Sequence, residues 1–497
     1  MHFGAVIPTV DAYYVDVLDG SNSNTGAYNQ PFQTVAHLVS VDTGANKSRW
    51  RFAVSSAAHP ATQRQWREAV TVPRNNMTID AWDPMGSGLK YLLDASDAVA
   101  ATSWTATDGQ ANVYQAAVVL DPSVSSGGGF VTSYENGTVA VRAASLVACQ
   151  STAGSYYPSA DLGTITLYVH LTGDADPTAK ADGWIEVSTR PFGITTRSVT
   201  GVTISGAWTR RNLHTDGSTV LGSYCTLAHS LVTQGSKHSC YVKKNAALTH
   251  VELLDGYWGT VGGPSPLVLN DTWGAGDSIS LSNVYSHFTV MPTAGDAMLA
   301  HGTGNLGNLS IVDSQFMGPA GIVFSQVANA YLQNVTVTAT TPGIQMSSEL
   351  GGSAVTIGDS SIALSSGASR GIDIQADAFE ASPQSLILTV NNGSVTVSGS
   401  GSNAIFNGAV NNATLNLIGI TLAGESGVVQ TRSGVTLNAS GLNLSGVTSK
   451  YYHFGSAFTA VSDNNDFGTG AAAFTVNGVT KTYAQWKALG YDAHSTP

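Results

Sequence analysis

The stretch NLSIVDSQFMGPAGIVFSQV (308–327) can be written above NAYLQNVTVTATTPGIQM (329–346) so that each residue class falls in register. Both segments start with a short alternating strand and bend at Asp or Asn. A second alternating strand follows, then a Pro-Gly or Pro-Ala-Gly turn, then a third strand such as Gly-Ile-Gln-Met (343–346). Other segments fit the same frame: GVTISGAWTRRNLHTDGSTVLG (201–222), SYCTLAHSLVTQGSKHSCYVKKN (223–245), ISLSNVYSHFTVMPTAGDAMLAHGTGN (279–305) and NATLNLIGITLAGESGVVQ (412–430). A repeat of roughly 20 to 30 residues is too short to bury its own apolar face, so neighbouring repeats must stack to make a core. Three strands per repeat with Asn at the bends predict a right-handed, single-stranded parallel β-helix. A β-sandwich or propeller is the alternative. A leucine-rich repeat is disfavoured because its L-x-x-L-x-L frame is missing and β-branched residues occupy the inward positions.

Composition agrees with an all-β chain. Of 497 residues only 11% are charged, Gly numbers 54 and Pro 16, and the helix-favouring Glu and Lys are scarce. The three cysteines Cys149, Cys225 and Cys240 form neither a C-x-x-C pair nor an even framework, so they are expected as buried apolar residues. No apolar run is long enough for a membrane helix. The opening MHFGAVIPTVDAYYVDV does not read as a secretory leader. A net charge of −12 argues against a nucleic-acid partner, which needs a broad basic face. The repeat weakens between residues 85 and 195, giving four expected segments: an N-terminal cap and first coil (1–84), a β-rich insertion or side domain (85–195), the parallel β-helix (196–470) and a C-terminal cap or tail (471–497).

The two ends carry a resemblance. YYVDVLDGSNSNTGAYNQPFQTVAHL (13–38) resembles the opening of pectate-lyase-like β-helix proteins, and YAQWKALGYDAHS (483–495) is similar to a tail found on such chains. The resemblance implies the fold, a capping helix around Phe32 to Leu38 and a carbohydrate partner, but no particular reaction. Asn-Thr-Asp and Gly-His-Gly signatures of polygalacturonases are absent. β-helix lyases commonly use calcium, so calcium is the one cofactor the resemblance raises. No Asp cluster of EF-hand spacing accompanies it, and no metal ligand is assigned.

Stacking the third strands turns Cys240, Val242, Met298, Ala300, Ile322, Phe324, Ile344, Met346, Ile372 and Ile374 inward, and Tyr241, Lys243, His301, Gln345 and Asp373 outward. Asp216, His238, Asp296 and Arg370 fall at the turns before those strands. With rungs about 4.8 Å apart, Asp216 and His238 are expected within hydrogen-bonding reach, flanked by Lys237 and Lys243. The window 208–250 holds Arg210, Arg211, Lys237, Lys243 and Lys244 against the single acid Asp216, together with His214, His229, His238 and His250. Such a local excess suits an anionic chain. The plainer reading is a solvated turn with a structural His–Asp pair.

The long segment GYWGTVGGPSPLVLNDTWGAGDS (256–278) adds Trp258, Trp273, Asp271 and Asp277, aromatic faces beside carboxylates as sugar sites use them; a covered flank with packed tryptophans is the alternative. Asp216 and Asp296, three rungs apart, would be about 14 Å from each other, too far for a glycosidase pair.

Two functions follow as expectations. One is a polysaccharide-degrading enzyme acting on an acidic extracellular glycan. In its lyase form Lys237, His238 or Lys243 removes the proton α to a uronate carboxylate, with Asp216 and Asp296 in the site and Arg210, Arg211, Tyr241, Trp258, Trp273, Asp271, Asp277 and His301 around the substrate. Hydrolysis by carboxylates of the 271–296 region is its competitor. The other is a tailspike-like or adhesive protein that binds a surface glycan with or without cleavage. The first implies a secreted monomer and the second a homotrimer on a virion surface.

Overall fold

The computed structural model describes residues 11–496 apart from 43–46, 61, 125–128, 257–262, 275, 305, 326, 341, 348–352, 366–368, 376–385, 409 and 470–471. The chain is almost entirely β and divides into two compact units, residues 1–242 with 251–266, and residues 243–250 with 267–497.

In the first unit three parallel ladders are built one strand per repeat. One runs through Ala12–Val15, Arg49–Ala53, Thr78–Trp82, Thr203–Ser205 and Thr226–Ala228. A second joins Gln65–Trp66, Tyr91–Asp94, Ala207–Arg210, Leu231–Gly235 and residues 252–256. The third joins Val70–Thr71, Ile194–Thr195, Thr219–Leu221 and His238–Val242. The interior is aromatic at its start, where Phe52 stacks on Tyr91 at 4.5 Å and meets the edge of Trp66 at 5.2 Å.

Between Asp94 and Ile194 the chain leaves the ladders. It forms a four-stranded sheet (Ser96–Val99, Ser133–Glu135, Thr138–Val139, Ile185–Ser188) and a five-stranded one centred on Tyr114–Val119 and Thr164–His170. These sheets are mainly antiparallel and bury their own cluster of Trp104, Val131, Tyr156, Leu167, Ile185 and Val187. The side domain therefore has a core of its own. Each fully buried aliphatic side chain contributes about 1.5–3 kcal/mol.

The second unit repeats the three ladders more regularly. Across 308–346, Leu306–Val312 pairs with Val327–Gln333, Gln315–Gly318 with Thr336–Ala339, and Ala320–Ser325 with Ile344–Ser347, all parallel. Inward columns such as Ile311, Leu332, Ile357, Val390 and Leu417 stack directly. The bend between the first two strands needs a left-handed backbone. Asn283, Asp313, Asn334, Asp359 and Asn392 take it with φ between 43° and 54°, and Gly419 and Gly441 continue the column. Asn and Asp tolerate this conformation better than other residues with a Cβ because their short side chains bond locally. Here Asn334 Nδ2 donates to Asp313 Oδ1 at 2.7 Å, tying one rung to the next.

The ends differ in detail from expectation. The N-terminal helix is Val35–Val41, beginning after Thr34, whose hydroxyl accepts the His37 N–H, and Glu68 accepts the Val35 and Ala36 N–H groups. Phe32 precedes the helix and bridges Val15 instead. The parallel ladder also runs into the expected tail, since Ala473–Val476 pairs with residues 450–454 before a hairpin and the helix Tyr483–Lys487. Trp486 of that helix stacks on Phe474 at 4.8 Å and donates to Asp492. All three cysteines are buried and unbridged, as expected.

Candidate functional site

The first unit builds a fixed turn around Asn212, a side chain with no solvent exposure. Its Nδ2 donates to the carbonyls of Pro191 and His214, and its Oδ1 accepts from Ser218 Oγ and Ser236 N, both at 3.1 Å. All four bonds an amide can make are satisfied, so the turn is held from beneath. Ser236 Oγ adds a 2.8 Å bond to His214 O. Gly217, at φ +117°, comes so near the next rung that a Cβ would lie 2.8 Å from Ser239 O and 3.1 Å from His238 O. A larger residue there would push the turn off the stack.

On this turn Asp216 forms an ion pair with Arg197 and presents its own N–H to His214 Nδ1 at 3.1 Å. Since Nδ1 accepts, the neutral ring carries its proton on Nε2. Burial, and then the charge of Arg197, push the His214 pKa down, which keeps the ring neutral. Arg197 is 44% exposed and Asp216 23%. Thr219 pairs with Cys240 across the ladder, and Lys237 immediately precedes the strand His238–Val242 much as Asp216 precedes Thr219–Leu221, so the two stand at the same end of successive rungs. Lys237 is half-buried, and burial lowers its pKa. The arrangement therefore offers a half-buried lysine whose pKa is lowered by burial, on the rung after the turn where a carboxylate holds an exposed guanidinium.

Several residues expected here are placed otherwise. Arg210 and Arg211 do not face a groove. Arg210 Nε binds the fully buried Asp94 at 2.7 Å, and Arg211, 2% exposed, pairs with Glu186 and lies over the Tyr134 ring at 4.6 Å. Arg210 ties one rung of the ladder to the next, and Arg211 joins ladder to side domain. His238 is 7% exposed, not on a solvated turn, and its Nδ1 donates to Ser265 O at 3.2 Å; the expected Asp216–His238 bond is replaced by Asp216–Arg197. Tyr241 is half-buried and turned away from the core-facing Cys240 and Val242. Arg197 and Asn212 were not anticipated. The available signal is spacing: Arg197 lies 19 residues before Asp216, close to one repeat.

The remaining candidates belong to the second unit. Lys243 is half-buried. Lys244 pairs with Asp277 at 3.3 Å and its N–H donates to Asp271. Burial raises the Asp277 pKa, but bonds from Asn245, Gly274 and Lys244 outweigh it and hold the carboxyl below its ordinary value. Asp271 also accepts from Thr272 N, so both carboxylates organise turns. Asp296 opens the strand Asp296–Gly304 and sits opposite Ala320. His301 Nε2 lies 3.2 Å from the Asn270 amide nitrogen.

Trp258 and the side chains of Trp273 and Phe324 lie outside the described residues. Asp373, expected on the surface, is 2% exposed; burial raises its pKa against the opposing effect of Arg370 and Gln375, and Arg370 lies over the Phe406 ring at 3.6 Å.

Among the described residues no three His, Cys, Asp or Glu side chains converge to hold a metal ion, and no helix is long and apolar enough to cross a membrane. No family model and no curated protein matches the chain. Among solved structures it is similar to XylC in complex with xylose (12% identity, 90% of this chain and 69% of that one, TM-score 0.40). It is also similar to a glycoside hydrolase (10%, 87% and 95%, TM-score 0.42) and to the GH136 lacto-N-biosidase from Eubacterium ramulus (9%, 91% and 67%, TM-score 0.33). At these scores the likenesses assign neither a family nor an activity.

Proposed function

We propose that the chain is a right-handed parallel β-helix protein that holds an acidic, uronate-containing polysaccharide and cleaves it by β-elimination. The fold reading is supported by three parallel ladders per repeat with a column of left-handed residues at the bend. The observation that carries the chemistry is the half-buried Lys237 with its lowered pKa, one rung from the exposed Arg197–Asp216 pair. A desolvated lysine is a suitable general base, and Arg is the side chain best shaped for a carboxylate.

In the proposed reaction the neutral Lys237 amine takes the proton from the carbon α to the uronate carboxylate. That C–H electron pair becomes the new C=C bond, and the glycosidic C–O bond breaks as its electrons pass to the leaving oxygen, which takes up a proton from solvent. Arg197 stabilises the charge that builds on the carboxylate, and Asp216 with His214 holds the guanidinium in position. A polymer of this kind is met outside cells, so we place the protein in an extracellular setting or on a virion surface. Polygalacturonate, alginate and hyaluronate, with neutral dextran as control, should be assayed for ultraviolet absorbance of the unsaturated product and for new reducing ends. Absorbance gained with an acidic chain, and lost in Lys237→Ala, supports elimination. Reducing ends without absorbance would replace it by hydrolysis.

A further inference from the structure

The side domain carries a cleft of about 250 Å³ lined by Asp97, Val119, Leu120, Asp121, Pro122, Thr189 and Arg190. Three chain segments meet there and are fastened by backbone bonds: Asp121 N to Thr189 O at 2.9 Å, and both Thr189 N and Arg190 N to Ala95 O at 3.1 and 3.0 Å. The side chains are fixed as well. Arg190 Nη2 pairs with Asp97 Oδ1 at 2.7 Å and its Nη1 donates to Ser96 O, while Thr189 Oγ1 donates to Asp97 Oδ2 at 2.7 Å. Asp121 Oδ1 accepts from Ser123 N at 2.8 Å. Despite these bonds Asp97 stays 44% and Arg190 22% exposed, so both still face solvent. Beside them Val119 is 70% exposed, Leu120 closes onto the side-domain core, and Pro122 completes an apolar patch.

We propose that this cleft binds one neutral pyranose ring, a terminal or branch sugar of a glycan. Carboxylates accept from vicinal hydroxyls and a guanidinium donates to them, while the C–H face of the ring lies on the apolar patch. The size admits a single ring. Two carboxylates against one guanidinium disfavour a uronate. Bonds made before the ligand arrives reduce the ordering cost of binding. The site is separate in residues and in chemistry from the turn around Lys237, and it stands whether or not that turn is catalytic.

The test uses the full chain and saturation-transfer NMR with D-glucose, D-galactose and D-mannose, and with D-glucuronate as the anionic comparator. At least one neutral sugar should receive saturation, and glucuronate should receive less. Asp121→Asn, which leaves the Arg190–Asp97 pair intact, should weaken binding about tenfold or more. Val119→Lys, at an exposed strand position, should weaken it comparably. Melting temperatures of the variants close to the parent's show that the loss is local. The proposal is overturned if no neutral sugar receives saturation, if glucuronate binds best, or if binding survives in both folded cleft variants.

Discussion

Two basic pairs stand close together in the sequence and have opposite fates. Arg210, which ends the strand Ala207–Arg210, and Arg211, which follows it, turn onto Asp94 and Glu186, Arg210 half-buried and Arg211 buried. Arg197 and Lys237, one to either side along the chain, remain at or near the surface, Arg197 paired with a single half-buried carboxylate and Lys237 with a lowered pKa. The difference teaches that a count of positive charges in a window says little about which are available to a ligand. What decides is whether the topology delivers a buried acid to the same place, since a charge removed from water must be paired there.

The comparison can be broken most forcefully at Glu186. Replacing Glu186 by Ala removes the ion pairs of Arg67 and Arg211 and leaves the buried Arg211 with Asp94, at 3.5 Å, as its remaining carboxylate, and the chain should lose about 3–5 kcal/mol of stability. Urea denaturation checks this, and an unchanged midpoint would show that the two stretches do not differ as described. At Lys237 the expected effect falls on function instead. Lys237→Ala should reduce elimination by about 10²–10⁴-fold, the usual contribution of a general base. Turnover by the parent should rise with pH up to the lowered lysine pKa and level off above it.

The stability effect at Lys237 has a definite sign. A lysine whose folded pKa is depressed is penalised when charged, so its contribution is present above the unfolded pKa and lost as pH falls through the folded value. Lys237→Gln should therefore melt slightly higher than the parent at neutral pH, with the advantage vanishing in strong base. Thermal melts at the two pH values decide it, and a lower melting temperature for the variant at neutral pH would overturn the sign.

Asp216→Asn comes next in size. The Arg197–Asp216 pair is partly exposed, so its loss should change stability by under about 1 kcal/mol while freeing Arg197, and binding of acidic glycan should become more sensitive to added salt. Titration at two ionic strengths tests this. The smallest effect is expected at a corner. His229 holds φ +48° on an exposed bend, and His229→Gly should stabilise the fold by about 0.5–1 kcal/mol, measured by chemical denaturation.

Corners also show how far the sequence could be read. In the second unit Asn283, Asp313, Asn334 and Asn392 mark the bend openly, because few other residues with a Cβ accept that backbone conformation readily. In the first unit Arg211, Tyr224, His229 and Gln234 occupy left-handed positions, so two of the features that looked like a basic site are corner residues. Asp373 misled for a related reason: strand alternation gives the side of the sheet, but cannot tell whether that side is open.

The sequence by itself determined the all-β character, the stacking period and the inward columns, since each follows from local pattern: β-branched alternation, Asn at bends and a repeat too short to bury its own face. Only the tertiary structure decided which charges are available. Asp94 lies 116 residues from Arg210, across an entire side domain, and Glu186 lies 25 from Arg211. Pairing at that separation depends on where the chain returns to the ladder, and burial of a charge depends on all the groups that close over it. Neither quantity is a property of any window of sequence.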